Sequence, residues 1–175
     1  VARTPGTSTT ATPGMVAPGV PAPAKAVSGE PVAAGGWQRY HAQSFTTAPG
    51  DLCPFTLHSE VLFDQEYVRT TGTYADGKPQ TQQFVGPLVV RITNRDSGRS
   101  VVRDLSARGV VDYRRDGSFD FRLQGPAAIG FHPGDALPPG YYVLRGVHVV
   151  RFAADGTRTV VIDRGGEENL CATLA

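Results

Sequence analysis

This sequence of 175 residues lacks the short motifs that usually reveal an activity. It has no Gly-x-Ser-x-Gly, no His-Glu-x-x-His, no phosphate-binding loop and no dinucleotide fingerprint, so it predicts no common catalytic or cofactor chemistry. The formal net charge is only +1, which gives no broad basic field and argues against nucleic acid as a partner. No hydrophobic run approaches the length of a membrane-spanning helix, so we expect no membrane span.

Cysteine and histidine are also scarce. The four histidines and two cysteines form no Cys-x-x-Cys motif and no Cys/His cluster, and we therefore expect no metal and no cofactor. Cys53 precedes the first strong strand pattern and Cys171 lies four residues from the end of the sequence. We predict a disulfide between them, which requires an oxidising compartment and indicates a secreted or cell-wall-associated protein. The alternative is two unrelated buried thiols.

Residues 1–36 contain mainly Ala, Pro, Gly, Thr, Ser and Val, with few charged or aromatic side chains. Such a segment cannot bury enough apolar surface to offset the entropy lost on ordering, so we predict a disordered tail or linker. A spacer in the cell wall, or an arm that orders on a partner, is the alternative. We expect one folded domain over residues 37–175.

Hairpin signals dominate that domain. Runs rich in Val, Tyr, Phe, Ile and Thr flank turns that end in Gly77, Gly117 and Gly156. A three-residue turn with its glycine in the left-handed conformation separates polar from apolar faces better than a two-residue turn does. The resulting registers pair Val68 with Phe84, Thr70 with Gln82, Tyr113 with Phe119, Val111 with Phe121, Phe152 with Arg158, Val150 with Val160 and His148 with Ile162.

A glycine interrupts nearly every long strand pattern, and Gly86 and Gly125 are each followed by proline. Glycine kinks and bulges let long strands coil and close. With sequential hairpins and no helical period, this pattern predicts an all-β fold, an antiparallel meander closing into a barrel of about seven or eight kinked strands. The alternative is a two-sheet β-sandwich in which the same glycines form the corners where strands change sheet.

The predicted inner face carries a few polar side chains. A buried charge must be paired or hydrated, so these residues predict a partly hydrated cavity in which a ligand would bind. Their hydrophobic surroundings favour a small apolar ligand. The alternative is that Arg103 extends to the barrel mouth and that His148 is a satisfied core residue. The candidate ligand-binding residues are Glu66, Arg103, Tyr113, Tyr142 and His148.

Several segments resemble a group of small exported actinobacterial proteins. They are Cys53-Pro-Phe, residues 86–94, Asp116-Gly-Ser, Pro138-Pro-Gly and Asn169-Leu-Cys-Ala. The resemblance covers roughly residues 50–175 and implies export. The expected barrel is also similar in architecture to the dirigent and allene oxide cyclase barrels, which bind apolar small molecules and steer their coupling or cyclisation, but no active-site residue is implied.

Three classes of function follow from these patterns. The first is a noncatalytic secreted protein that binds a small apolar ligand or a surface partner. The second is a barrel isomerase or cyclase in which Glu66 and His148 exchange a proton, and the third is a cell-wall structural or interaction module. Val147, Val149 and Val161 are expected to face outward, where they could join copies of the chain in a homo-oligomer.

Overall fold

The computed structural model describes residues 35–175. The tail predicted at residues 1–36 lies almost wholly outside this range. The described chain is all-β, with antiparallel sheets and one short helix, as the strand patterns predicted. Its first six strands are β1 (Gln38–Arg39), β2 (Phe45–Thr47), β3 (Leu57–Asp64), β4 (Tyr67–Thr73), β5 (Pro79–Val85) and β6 (Leu88–Asn94). The later elements are β7 (Ser100–Asp104), β8 (Arg108–Tyr113), β9 (Phe119–Gln124), β10 (Ala127–Phe131), β11 (Gly140–Phe152), β12 (Arg158–Asn169) and α1 (Leu170–Thr173).

Two sheets contain these strands. The large sheet has the order β1-β4-β5-β8-β9-β11-β10, with β12 also paired to β11. The small sheet has the order β2-β3-β6-β7. Within residues 35–175 no pairing joins the edges of either sheet, so the expected closure into a barrel is not found. Two separate sheets are what the sandwich alternative requires.

Corners in the chain explain why the sheets stay separate. Only residues 65–66 separate β3 from β4, only Gly86 and Pro87 separate β5 from β6, and residues 105–107 separate β7 from β8. At each corner the chain passes between the small and the large sheet. Gly86 has φ of 140°, and a Cβ there would lie 2.2 Å from the carbonyl oxygen of Gln65. The glycine therefore permits the close approach of two corners.

The hairpin turns follow the predicted chemistry. Gly77, Gly117 and Gly156 all have positive φ. In each turn the residue before the glycine is an aspartate, and its carboxylate accepts a hydrogen bond from the backbone N–H of the residue after the glycine. The registers predicted for β4–β5 and β8–β9 are confirmed. The β11–β12 hairpin also begins in the predicted register, with Phe152 opposite Arg158 and Val150 opposite Val160.

A β-bulge then changes the β11–β12 register. Val149 lies opposite Ile162, so Val161 is an extra residue on β12. Every later residue of β12 consequently faces the opposite side from the one predicted, because side chains alternate along a strand. His148 pairs with Asp163 and not with Ile162. Ile162, expected inside, is 40% exposed.

Two clusters of buried side chains form the core. The first lies between the small sheet and the part of the large sheet formed by β10 and β11, and it contains both cysteines. The second uses one face of the large sheet, the face that carries Phe84, Val111, Phe121, Leu144 and Val150. We call this second surface the concave face. All candidate sites below except that of Arg103 lie on it.

Candidate functional site

The five predicted ligand-binding residues lie in three separate places. Glu66 and Tyr113 are on the concave face near Tyr40. In addition to burial, the Glu66 carboxylate raises the pKa of Tyr40, and Tyr40 in turn raises the pKa of Tyr113. His148 and Tyr142 are further along the same face, on β11. Arg103 belongs to the small sheet, where it pairs with Val90 of the first core cluster.

The Tyr40 group lies at the end of the concave face where β4 begins. The Tyr40 backbone N–H donates to the carbonyl oxygen of Glu66 at 3.0 Å, and the Tyr40 ring packs edge-on against Phe84 with centroids 5.5 Å apart. Glu66 lies opposite Gly86, as the register predicted, since a Cβ on Gly86 would be 2.7 Å from its Cα. The missing side chain lets the backbone of residues 65–66 approach Gly86 closely.

Tyr113 extends toward this group from the far end of β8, five residues beyond the Arg108 that pairs with Val85. Its hydroxyl donates to Oε1 of Gln82 at 2.9 Å, and Nε2 of Gln82 donates to the hydroxyl of Thr70 at 3.2 Å. Burial raises the pKa of Tyr113 above its ordinary value. Burial, together with the Glu66 and Asp64 carboxylates, raises the pKa of Tyr40 to about 12. Both phenols therefore remain neutral at physiological pH, as hydrogen-bonding groups in an aromatic wall.

The Glu66 carboxyl group is the least satisfied group of this site. Its Oε2 atom is buried and has no hydrogen-bond partner among the described residues. Burial, followed by repulsion from Asp64, raises the pKa of Glu66 to about 7, and Arg39 opposes this effect. The Asp64 carboxylate is itself held by the backbone N–H groups of Glu66 and Ala42. Glu66 can therefore accept or donate a proton near neutral pH.

We expect Glu66→Gln to make stability less dependent on pH. A raised folded-state pKa means that folding disfavours the carboxylate, so the wild type loses stability as pH rises from about 4.5 to about 7. The variant should be more stable than the wild type at pH 8 by about 1–2 kcal/mol, after allowance for partial solvent screening. Urea denaturation at pH 4.5 and pH 8 measures this, and an equal difference at both pH values would contradict it.

His148 is enclosed on the concave face of β11. Its side chain has no exposed surface, and neither ring nitrogen has a hydrogen-bond partner among the described residues. Nε2 lies 3.0 Å from Oδ1 of Asp163 but is not aligned for a hydrogen bond. Glu167 also approaches, and the ligand atoms of the three residues lie within 4.8 Å of one another. Tyr142 is near this group, because Glu167 contributes to its raised pKa after burial.

Arg103 is not available to a ligand on the concave face. Its guanidinium group donates from Nε and a terminal nitrogen to the two oxygens of Glu168, which also accepts from Arg145 and from the hydroxyl of Thr173. The hydrogen bonds from Arg103 contribute most to lowering the pKa of Glu168 to about 2. This ion pair links the edge strands β7 and β12 of the two sheets. Arg103 therefore joins the sheets.

The described residues also form an open depression of about 350 Å³ at the corners of the chain. None of the five predicted ligand-binding residues lines it. Its walls are Val85, Gly86, Pro87, Ser106, Ala107, Arg108 and Gln124. Gly86, one of its lining residues, packs against the backbone of Gln65 and Glu66, so the depression lies beside that corner.

The outward valines differ in exposure. Val147 and Val161 are 44% and 47% exposed, whereas Val149 is buried. The exposed pair lies with Ile162 on β11 and β12, and β12 is an edge strand. A homo-oligomer formed through this region stays a prediction.

Sequence reasoning missed three residues of these groups. Tyr40 precedes the predicted core strands, and Asp163 follows Ile162, so pairing Ile162 with His148 puts Asp163 on the outer face. Glu167 lies where no register had been predicted. The sequence does show one acidic residue on each side of Gly165-Gly166, Asp163 and Glu167, which could have suggested that a bend brings them together.

No helix within residues 35–175 is long and apolar enough to cross a membrane. No family model, curated protein or solved structure matches this chain.

Proposed function

We propose that this chain is a secreted, noncatalytic protein that binds a small apolar ligand carrying a hydrogen-bond donor, at the site formed by Tyr40, Glu66 and Tyr113. The observation that supports this proposal is the buried Oε2 atom of Glu66, which has no partner in the described chain. A buried acceptor without a partner costs about 1–3 kcal/mol. A ligand N–H or O–H at that atom would remove this cost.

The surroundings of Glu66 supply the apolar part of the interaction. Tyr40 and Phe84 form an aromatic corner, and Val68 lies opposite Phe84 on the same face. Aromatic rings give a large contact area with a polar edge, as in many small-molecule sites. Secretion is supported by the Cys53–Cys171 pair, because a stable disulfide requires an oxidising compartment.

Binding is favoured over the isomerase or cyclase alternative because two of the predicted polar residues are already engaged. The Tyr113 hydroxyl donates to Gln82, and Arg103 is held by Glu168 on another face. Glu66 would then be the group of this site that titrates near neutral pH. A proton-transfer cycle normally needs a second positioned group to stabilise the charge that develops.

Titration with two fluorescent probes tests this proposal. N-phenyl-1-naphthylamine has an N–H donor, whereas pyrene has no hydrogen-bonding group. We expect both to bind saturably at one per chain, and Glu66→Leu to weaken the naphthylamine about tenfold while leaving pyrene nearly unchanged. Tyr40→Ala should weaken both probes, because it removes part of the aromatic wall.

The control is Glu60→Leu, the same substitution at a partly exposed position of β3 in the small sheet. It should bind both probes as the wild type does. Absence of saturable binding, or naphthylamine binding that is insensitive to both Glu66→Leu and Tyr40→Ala, would overturn the proposed site.

A further inference from the structure

The second polar group of the concave face has the composition of a metal centre. It consists of His148 on β11 and of Asp163 and Glu167 on β12. It is separate from the Tyr40 group, and the inference drawn from it does not depend on the proposed ligand site.

Two irregularities of the hairpin bring the three side chains together. The extra residue Val161 places Asp163 directly opposite His148 on the concave face. Asp163 and Glu167 are four residues apart, so they share that face but would be about 13 Å apart along a straight strand. Gly146 and Gly165, which pair with each other, have φ values of 103° and 156°. The chain bends there, between Asp163 and Glu167.

The imidazole of His148 has no hydrogen-bond partner among residues 35–175. It is fully buried, and in the neutral ring one nitrogen donates while the other accepts. Buried side-chain polar atoms nearly always have a partner, and each exception needs an explanation. Nε2 points into the group of carboxylates, 3.0 Å from Oδ1 of Asp163, without hydrogen-bond alignment. A cation between these atoms would satisfy Nε2.

The carboxylates of this group also lack the arginine partners that several other strand acids have. Asp112, Asp120 and Glu168 each form an ion pair with at least one arginine. Within residues 35–175, neither Asp163 nor Glu167 forms an ion pair with a lysine or arginine. Two carboxyl groups without a basic partner, next to one buried imidazole, favour a positively charged ligand.

We propose that His148, Asp163 and Glu167 bind a divalent transition-metal ion of the zinc class, through Nε2 of the histidine and one oxygen of each carboxylate. An imidazole nitrogen disfavours magnesium and calcium, which prefer oxygen ligands alone. Zinc binds His nitrogen and Asp or Glu oxygen at about 2.0–2.2 Å. Three protein ligands leave one position of a tetrahedral ion open to water or to another ligand, and the exposure of both carboxylates gives the ion a path to the site.

Calorimetric titration of the full chain with zinc chloride tests the site. We expect one ion per chain, and we expect Asp163→Asn and Glu167→Gln each to weaken binding by at least about tenfold. Both replaced side chains are exposed, so the variants should fold, which circular dichroism can check. Zinc should raise the Tm of the wild type and have a smaller effect on the variants, because an ion that binds only the native state stabilises it.

The control is Glu60→Gln, which removes a carboxylate from the distant small sheet and should bind zinc normally. Binding that survives unchanged in both Asp163→Asn and Glu167→Gln would place the ion elsewhere and overturn the proposal. Absence of binding by the wild type would also overturn it, since His148 would then form only an ion pair with Asp163.

Discussion

Replacement of both bridging cysteines by alanine, Cys53→Ala with Cys171→Ala, is expected to lower the free energy of unfolding by about 4–5 kcal/mol. The two residues are 118 positions apart with Cα atoms 5.3 Å apart, and a bridge that closes so long a loop removes much entropy from the unfolded chain. The bridge connects the loop before β3 to α1, inside the first core cluster. Guanidinium denaturation of the wild type and the double variant measures the loss.

A reducing agent separates the effect of the bond from that of the side chains. It should destabilise the wild type by a similar amount and leave the double variant unchanged. The bond would be contradicted if mass spectrometry detected two free thiols in unreduced protein from an oxidising compartment, and the argument for export would then be lost.

Gly146→Ala is expected to destabilise the protein by about 3 kcal/mol or more. A Cβ at Gly146 would lie 2.3 Å from the carbonyl oxygen of Arg164, and the φ of 103° is one that alanine rarely adopts. The obstacle is backbone in a paired strand, so the rotation of a side chain cannot relieve it. Thermal and urea unfolding of the variant measure the effect.

Gly166→Ala is the matched control on β12, the strand opposite. A Cβ on Gly166 would meet no atom within 4 Å, so we expect a change of less than about 1 kcal/mol. Equal stabilities of the two variants would contradict a bend that depends on the close approach of β11 and β12.

Local sequence patterns were sufficient to predict an all-β chain and most of the hairpin pairing. The turns ending in Gly117 and Gly156 could be assigned because three-residue turns need a left-handed residue, which glycine adopts at little cost. Alternation of polar and apolar residues then determined which side chains of β8 and β9 face each other. These features depend on neighbours in sequence. The positions of the two cysteines likewise suggested their bridge before any fold was known.

The sequence pattern alone could not distinguish a barrel from two sheets. Mid-strand glycines permit a bend, but they do not specify whether a bent strand closes a ring or passes into a second sheet. The outcome depends on how the corners at Gly86 and at residues 105–107 pack, which involves residues distant in sequence. The alternating pattern of its strand predicted that Arg103 faces a cavity. It instead joins the two sheets through Glu168, a residue distant in sequence that local patterns could not reveal.

The sequence by itself therefore determined an all-β chain with three defined hairpin turns, a buried His148 and a predicted bridge between its two cysteines. Only the tertiary structure decided which charged groups meet. The bulge at Val161 places Asp163 beside His148, and the bend at Gly165 brings Glu167 to both. One extra residue reverses every later side chain of a strand, and the packing of both sheets determines where it is accommodated. Tyr40 reaches Glu66 through a backbone hydrogen bond between segments that are distant in sequence.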